Sequence, residues 1–242
     1  MEKVLYVLTR PPATDPTTFR RDLLDTAERL GRRGALAVQV NVVDDDVAPA
    51  AGLRIVTSDA PADAVVAVWV ASARESARAP LDEALAEVAA TLAAYLVTES
   101  VPLDESRPSP TTDGRTDGFA QLAFLRRPAD LAVDDWFTRW FDDHTPVALE
   151  TQDTSLYVQH AVVRPLTAGA PPWDAIVEEG FPDEAMTDPQ AFFDARGDDD
   201  RLARHQQAML ASVQRFIDLT TIEVVPTSRY VLGRVDGPPS PP

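Results

Sequence analysis

Residues 5–11 read LYVLTRP and residues 122–128 read LAFLRRP. Each is a short apolar run closed by Arg-Pro, and the second lies 117 positions after the first. At the same spacing Phe19 falls on Trp136, Leu23 on Trp140 and Leu24 on Phe141. Further along, VQVNVV (38–43) matches VQHAVV (158–163), and DAVVAVWV (63–70) matches DAIVEEGF (174–181). LVTESVPL (96–103) loosely resembles VVPTSRYVL (224–232). Matches that recur in one order mark an internal repeat, so the fold is read as one unit written twice.

Hydrophobic periodicity gives the elements of that unit. Residues 3–9 are β-branched and apolar, a strand pattern. Asp15 followed by Pro16 reads as an N-cap and first helical position. Phe19, Leu23, Leu24, Ala27 and Leu30 then line one face of a helix over 17–31. Strands are predicted at 35–43 and 63–70, a helix over the Ala- and Leu-rich 80–95, and a strand at 96–101. The order is β-α-β-β-α-β, the ferredoxin-like split unit. The second copy gives strand 119–126, helix 133–144, strands 155–163 and 174–181, helix 202–218 and strand 221–231, with an extra helical stretch near 188–195. Residues 104–117 (DESRPSPTTDGRTD) are polar and Pro-rich, a predicted flexible linker. Residues 233–242 form a predicted disordered tail. The expected organisation is an N-terminal unit 1–103, the linker, and a C-terminal unit 118–232.

A split unit carries both helices on one sheet face, and the other face must be covered. Two tandem units cover each other. The predicted fold is therefore an α+β barrel with antiparallel sheets inside, helices outside and a cavity between the sheets. Such a chain is a pseudo-dimer that stands as a monomer or pairs further as a homodimer.

Composition excludes several functions. The formal net charge of −17 opposes nucleic acid and anionic membrane partners. No apolar run nears the roughly 20 residues of a membrane span, and MEKVLYVLTRPP lacks a signal-peptide layout, so a cytoplasmic location is expected. Without cysteine there is no disulfide, thiolate nucleophile or Cys-based metal site. Lys3 is the only lysine, so Schiff-base chemistry would have to use the edge of the first strand. No phosphate-binding or hydrolase motif is present.

The second copy resembles the EthD family of the dimeric α+β barrel superfamily. The resemblance rests on LRRP, the helix WFTRWFDDHTPVAL, the strand YVQHAVV, and WDAIVEEGF followed by DEAM. The first copy resembles a diverged repeat of it. The resemblance implies a small barrel enzyme without redox cofactor, such as a decarboxylase or a tailoring enzyme of aromatic polyketides. Relatives in the wider superfamily include cofactor-free monooxygenases and haem proteins, so the fold alone does not fix the chemistry.

Individual residues narrow the site. Trp136, Trp140 and His144 advance by about 40° per step on one helix face, which packs toward the sheet. His144 suits a general acid or base, or a helix C-terminal cation ahead of Pro146. Packing accounts for the tryptophans, which match Phe19 and Leu23, but not for His144, whose counterpart is Ala27. Ile176, Glu178 and Gly180 share a strand face and match Val65, Ala67 and Trp69. The second copy thus gains a carboxylate and loses an indole, which suggests a pocket holding an acid of raised pKa. Val158, His160 and Val162 match Val38, Val40 and Val42, which places Tyr157 and Gln159 toward the inter-sheet cavity as substrate-orienting groups. His160 reads as a satisfied buried histidine and His205 as a solvated helix position. Arg10 and Arg127 suit either a substrate anion or a local ion pair.

The expected function is a cofactor-independent enzyme acting on a hydrophobic or aromatic carbonyl, phenol or carboxylic acid. His144 and Glu178 are the expected catalytic pair. Tyr157, Gln159, Trp136, Trp140, Arg127 and Gly180 are the expected substrate-binding residues. No metal is expected. The alternatives are a haem oxidase or peroxidase using His144 or His160 as axial ligand, and a non-catalytic small-molecule-binding barrel.

Overall fold

The computed structural model describes residues 1–104 and 114–233. The interior of the predicted linker, 105–113, and the predicted tail from 234 onward lie outside the described residues. The N-terminal half contains β1 (Glu2–Thr9), α1 (Pro16–Leu30), β2 (Ala35–Val42), β3 (Ala64–Val70), α2 (Glu75–Ala86) and β4 (Thr91–Leu103). The C-terminal half contains β5 (Phe119–Leu125), α3 (Val133–Phe137), a π-helical turn (Thr138–His144), α4 (Thr145–Thr151), β6 (Leu156–Pro165), β7 (Ala175–Phe181), α5 (Pro189–Phe192), α6 (Asp199–Val213) and β8 (Glu223–Gly233).

All eight strands join in one closed antiparallel barrel, in the order β1-β3-β2-β8-β5-β7-β6-β4. Each half contributes its strands in the order fourth, first, third, second. The halves meet at two seams, β2 with β8 and β4 with β6. Closure within one chain removes every sheet edge, so no partner is needed to cover the unpaired backbone groups an edge exposes. Arg115 and Thr116, at the end of the predicted linker, are tied to β8: Thr116 N–H donates to the Arg229 carbonyl at 2.8 Å.

Three apolar clusters show which strand faces point where. One joins Leu5, Val65, Ala67, Tyr95, Leu122, Phe124, Ile176 and Val225, drawn from strands around the ring and from no long helix; it fills the barrel. A second packs Val4, Tyr6, Val38, Val40, Val66 and Val68 against Phe19 and Leu23 of α1 and Leu81 and Leu85 of α2. A third packs Leu125, Tyr157, Ala161, Ala175 and Val177 against Trp136, Trp140 and Ala148. Helices therefore cover the outer wall. Each fully buried large side chain contributes about 1.5–3 kcal/mol.

The repeat extends to its loops. After β1, the Arg10 N–H donates to Asp63 Oδ2 at 2.8 Å and its guanidinium to the Thr14 carbonyl. After β5, the Arg127 N–H donates to Asp174 Oδ2 at 2.9 Å and its guanidinium to the Leu131 carbonyl. Both Arg-Pro pairs hold the same turn by the same bonds.

The structure departs most from the sequence reading at three places. The predicted helix 80–95 is the helix α2, ending at Ala86, followed by the start of β4. Alanines 93 and 94 favour helix locally, but β1 and β6 offer hydrogen bonds on both sides, and tertiary pairing overrides the propensity. The helix expected to stop before Pro146 instead continues to Thr151. Proline lacks an N–H and crowds the preceding turn of an α-helix; here the π turn widens that turn. The Thr145 N–H bonds to the Trp140 carbonyl, as does its Oγ1 at 3.0 Å. The third is a slip of one residue in β6. His160 pairs with Ile176 as Asn41 pairs with Val65, and Val162 N–H bonds to Asp174 O as Val43 N–H bonds to Asp63 O. The counterpart of His160 is thus Asn41, not Val40.

Candidate functional site

A slip of one residue exchanges the two faces of a strand. Tyr157 and Gln159, expected inside the barrel, point outward to the helices, while Val158 and His160 point inward. The polar groups consequently sort into two sites separated by the barrel wall.

Inside the barrel Glu178 reaches across to β2. It accepts from Gln39 Nε2 at 2.8 and 2.9 Å and from Asn41 Nδ2 at 2.9 Å, and pairs with Arg229 Nε at 3.1 Å. Burial pushes its pKa up, but Arg229, the Asn41 and Gln39 amides and Lys3 outweigh it, leaving the carboxyl below its ordinary value. This corrects the expectation of a raised pKa: Glu178 is an ionised, fully bonded anchor. Gly180 leaves no pocket either. A Cβ there would stand 3.0 Å from both Leu156 Cβ and Ser155 Oγ, so β6 fills the space the missing indole would take. His144 does not reach it, because His144 lies on the other side of the wall.

That outer side holds the candidate site. A cavity of about 190 Å³ lies between the outer face of β5, β6 and β7 and the covering helices. Its lining includes Trp140, His144, Gln152, Tyr157, Glu179 and Phe216. Strand alternation places Glu179 here, beside Tyr157 of β6 and Gln121 of β5. Gln121 Nε2 donates a long hydrogen bond to Glu179 Oε2 at 3.3 Å. Among the described residues no cation offsets the burial of Glu179, which pushes its pKa up to about 7.

His144 is buried, its Nδ1 lies 2.9 Å from Ser212 Oγ, and its ring centroid lies 4.7 Å from that of Phe216. Burial lowers its pKa to about 4, so the imidazole is neutral at pH 7. Burial likewise raises the Tyr157 hydroxyl far above its ordinary value, with the Glu179 carboxylate adding to the shift. Among the described residues one lining atom, the acceptor Gln152 Oε1, is buried without a hydrogen-bond partner, and the indole N–H of Trp140 faces the Tyr157 hydroxyl without a well-formed bond. An orphaned buried atom costs about 1–3 kcal/mol and is an exception in a folded protein.

The remaining predicted site residues serve the frame. Trp136 stacks beside Trp140 with centroids 5.0 Å apart and donates Nε1–H to the Phe216 carbonyl at 2.9 Å. Gln159 Nε2 donates to Thr145 Oγ1 at 2.8 Å, tying β6 to the π turn. Arg127 is held by loop carbonyls. His205 is not a free surface residue: its Nδ1 lies 2.7 Å from the Phe193 carbonyl and 3.1 Å from that of Thr151, joining α6 to α5 and α4. Sequence reading missed Glu179, Gln121, Gln152 and Ser212. The alternation that selected Glu178 also set Glu179 on the opposite face, the face of Val177 and Tyr157, and was the signal available.

No family model and no curated protein matches the chain. Solved structures do. An anthrone oxidase-like protein matches over 98% of this chain and 94% of its own, at TM-score 0.58 and 10% identity. A candidate monooxygenase from Lactobacillus acidophilus NCFM matches over 97% of each chain at TM-score 0.48 and 10% identity. Another, from Fusobacterium nucleatum, matches over 96% of this chain and 92% of its own, again at 0.48 and 10%. At 10% identity the likeness to the first of these is one of fold alone, an α+β barrel with outer helices. Among the described residues no helix is long and apolar enough to cross a membrane.

Proposed function

We propose that this protein is a small-molecule enzyme of the EthD-like, dimeric α+β barrel kind, built from two tandem ferredoxin-like units. It works without a redox cofactor in the cavity between β5–β7–β6 and the helices. The observation that carries this reading is the cavity itself. It joins a carboxyl poised near pH 7, an indole N–H held only loosely by the Tyr157 hydroxyl, and an orphaned acceptor within an aromatic lining.

These groups define a ligand. A carbonyl or phenolate oxygen accepts from Trp140 Nε1, and a hydroxyl donates to Gln152 Oε1. Glu179, as carboxylate, takes a proton from a phenol or an acidic C–H; the optimum base titrates near the working pH. The negative charge that develops passes to the oxygen facing Trp140. His144, held by Ser212, offers a neutral imidazole that fixes the ligand by a hydrogen bond, and Glu179 returns the proton it took. Glu179 thus replaces Glu178 as the partner of His144. Dehydration, cyclisation and oxygenation start from such an anion and decarboxylation ends in one, and the name of the anthrone oxidase-like neighbour favours oxygenation. The volume falls below the roughly 300–1,000 Å³ of sites for drug-sized ligands, which favours a substrate of one or two rings. The same size argues against haem, and His160 has both ring nitrogens engaged, at Lys3 and at the Ile176 carbonyl.

The test is a panel of one- and two-ring hydroxyaromatic and β-keto compounds, read by tryptophan fluorescence and by turnover. Glu179→Gln is expected to keep binding and lower kcat at least a hundredfold, and His144→Ala at least tenfold. Full turnover by both variants overturns the assignment.

A further inference from the structure

The only lysine of the chain is buried at one end of the barrel interior, far from solvent for a residue of its type. Lys3 is 6% exposed, and its Nζ lies 2.7 Å from His160 Nε2, in contact with the Glu99 carboxylate, and 4.2 Å from the centre of the Trp69 ring. His160 Nδ1 lies 3.0 Å from the Ile176 carbonyl, which can only accept. The ring is therefore protonated at Nδ1, and Nε2 presents a lone pair to the amine. Glu99 Oε2 stands 3.5 Å from the same Nε2. Lys3, Trp69 and Glu99 also line a cleft of about 370 Å³, walled on its apolar side by Met1, Leu96 and Val163.

We propose that Lys3 is a nucleophilic amine that forms a Schiff base with a neutral, hydrophobic aldehyde or ketone bound in this cleft. The site is independent of the cavity of His144 and Glu179, which lies on the other face of the wall. His160 Nε2 takes a proton from the ammonium, and the imidazolium that results is stabilised by Glu99. The free amine adds to the carbonyl carbon, and the π pair moves to oxygen, which takes the proton back from His160. His160 Nε2 then takes a second proton from nitrogen and passes it to the hydroxyl, which departs as water as the nitrogen lone pair forms the C=N bond. One carbonyl and one amine become one imine and one water, with no change of oxidation state. Burial lowers the Lys3 pKa, which Glu99 opposes, and so favours the free amine. The carbonyl compound is neutral because the Glu2 and Glu99 carboxylates both line the cleft, where an anionic keto acid would meet them.

The experiment treats the full-length protein with 4-methylbenzaldehyde and cyanoborohydride at pH 7.5, followed by intact mass and peptide mapping. Any lysine adduct must be Lys3, so the map separates it from the N-terminal amine. The expected result is one adduct on Lys3, forming at least tenfold faster in the native protein than in the urea-unfolded chain, with saturation in aldehyde. His160→Asn, checked for native circular dichroism, should slow it at least tenfold; if that variant does not fold, His160→Gln serves the same comparison. Labelling of the N-terminal amine alone, or labelling of Lys3 only after unfolding, overturns the proposal.

Discussion

Glu178 and Glu179 are neighbours on β7, yet their carboxyls stand on opposite sides of the barrel wall and titrate in opposite directions. Inside, Glu178 meets Arg229 and two amides. Outside, Glu179 meets one amide and an aromatic cavity. The same side chain is an anchor in one place and an acid–base candidate in the other, because partners decide what burial does to a charge.

Glu178→Ala should destabilise the fold by about 3 kcal/mol, the usual cost of leaving one member of a buried ion pair. Denaturant midpoints at unchanged slope would show it. A change below about 0.5 kcal/mol would mean that the inner network contributes nothing net.

Opposite pH slopes are expected from Glu179 and His144. The Glu179 pKa is raised from 4.5 to about 7 on folding, so its contribution is full below 4.5 and is lost as pH rises through 7. The His144 pKa is lowered from 6.5 to about 4, so its contribution is full above 6.5 and is lost as pH falls through 4. Each shift corresponds to roughly 3 kcal/mol at 1.36 kcal/mol per unit, and the two offset each other between pH 4 and 7. Relative to the parent, Glu179→Gln should lose stability on acidification, and His144→Phe should gain it. Melting temperatures across that range measure both; parallel curves for all three proteins would refute the shifts.

Trp140→Phe removes an indole N–H that faces the Tyr157 hydroxyl without a well-formed bond. The cost to stability should therefore be a packing cost, about 1–2 kcal/mol. Affinity for a carbonyl-bearing ligand should fall about fivefold to tenfold, the worth of one hydrogen bond, while an analogue lacking the carbonyl binds unchanged. Equal losses for both ligands would place the indole N–H outside the site.

Gly180→Ala should cost about 1–3 kcal/mol, because its methyl meets Leu156 and Ser155 in packed wall. Ligand affinity at the outer cavity should not change. A substitution that leaves the melting temperature intact would show that a space exists beside Gly180 after all.

Much of the fold was legible because the two halves of the sequence carry matching short stretches. The Arg10 and Arg127 turns, the alternation of 176, 178 and 180, and the face of Phe19 and Leu23 all follow from short-range periodicity. The N-cap at Asp15 is as expected, accepting from Thr18 N at 2.9 Å. The start of β4 and the helix beyond Pro146 were not legible. In one case strand partners distant in sequence overrode an alanine run, and in the other a π turn absorbed a proline.

The sequence by itself determined that Glu178 and Glu179 lie on opposite faces of a strand, and that the face of Trp136 and Trp140 packs on a sheet. Only the tertiary structure decided which face of β6 and β7 is the inside. A period of two fixes which residues stand together but is blind to a shift of one, and that shift was set by the pairing of His160 with Ile176 as the barrel closed. Closure moved Tyr157 out to His144, brought His160 in to Lys3, and left Glu179, not Glu178, as the carboxyl without a cation.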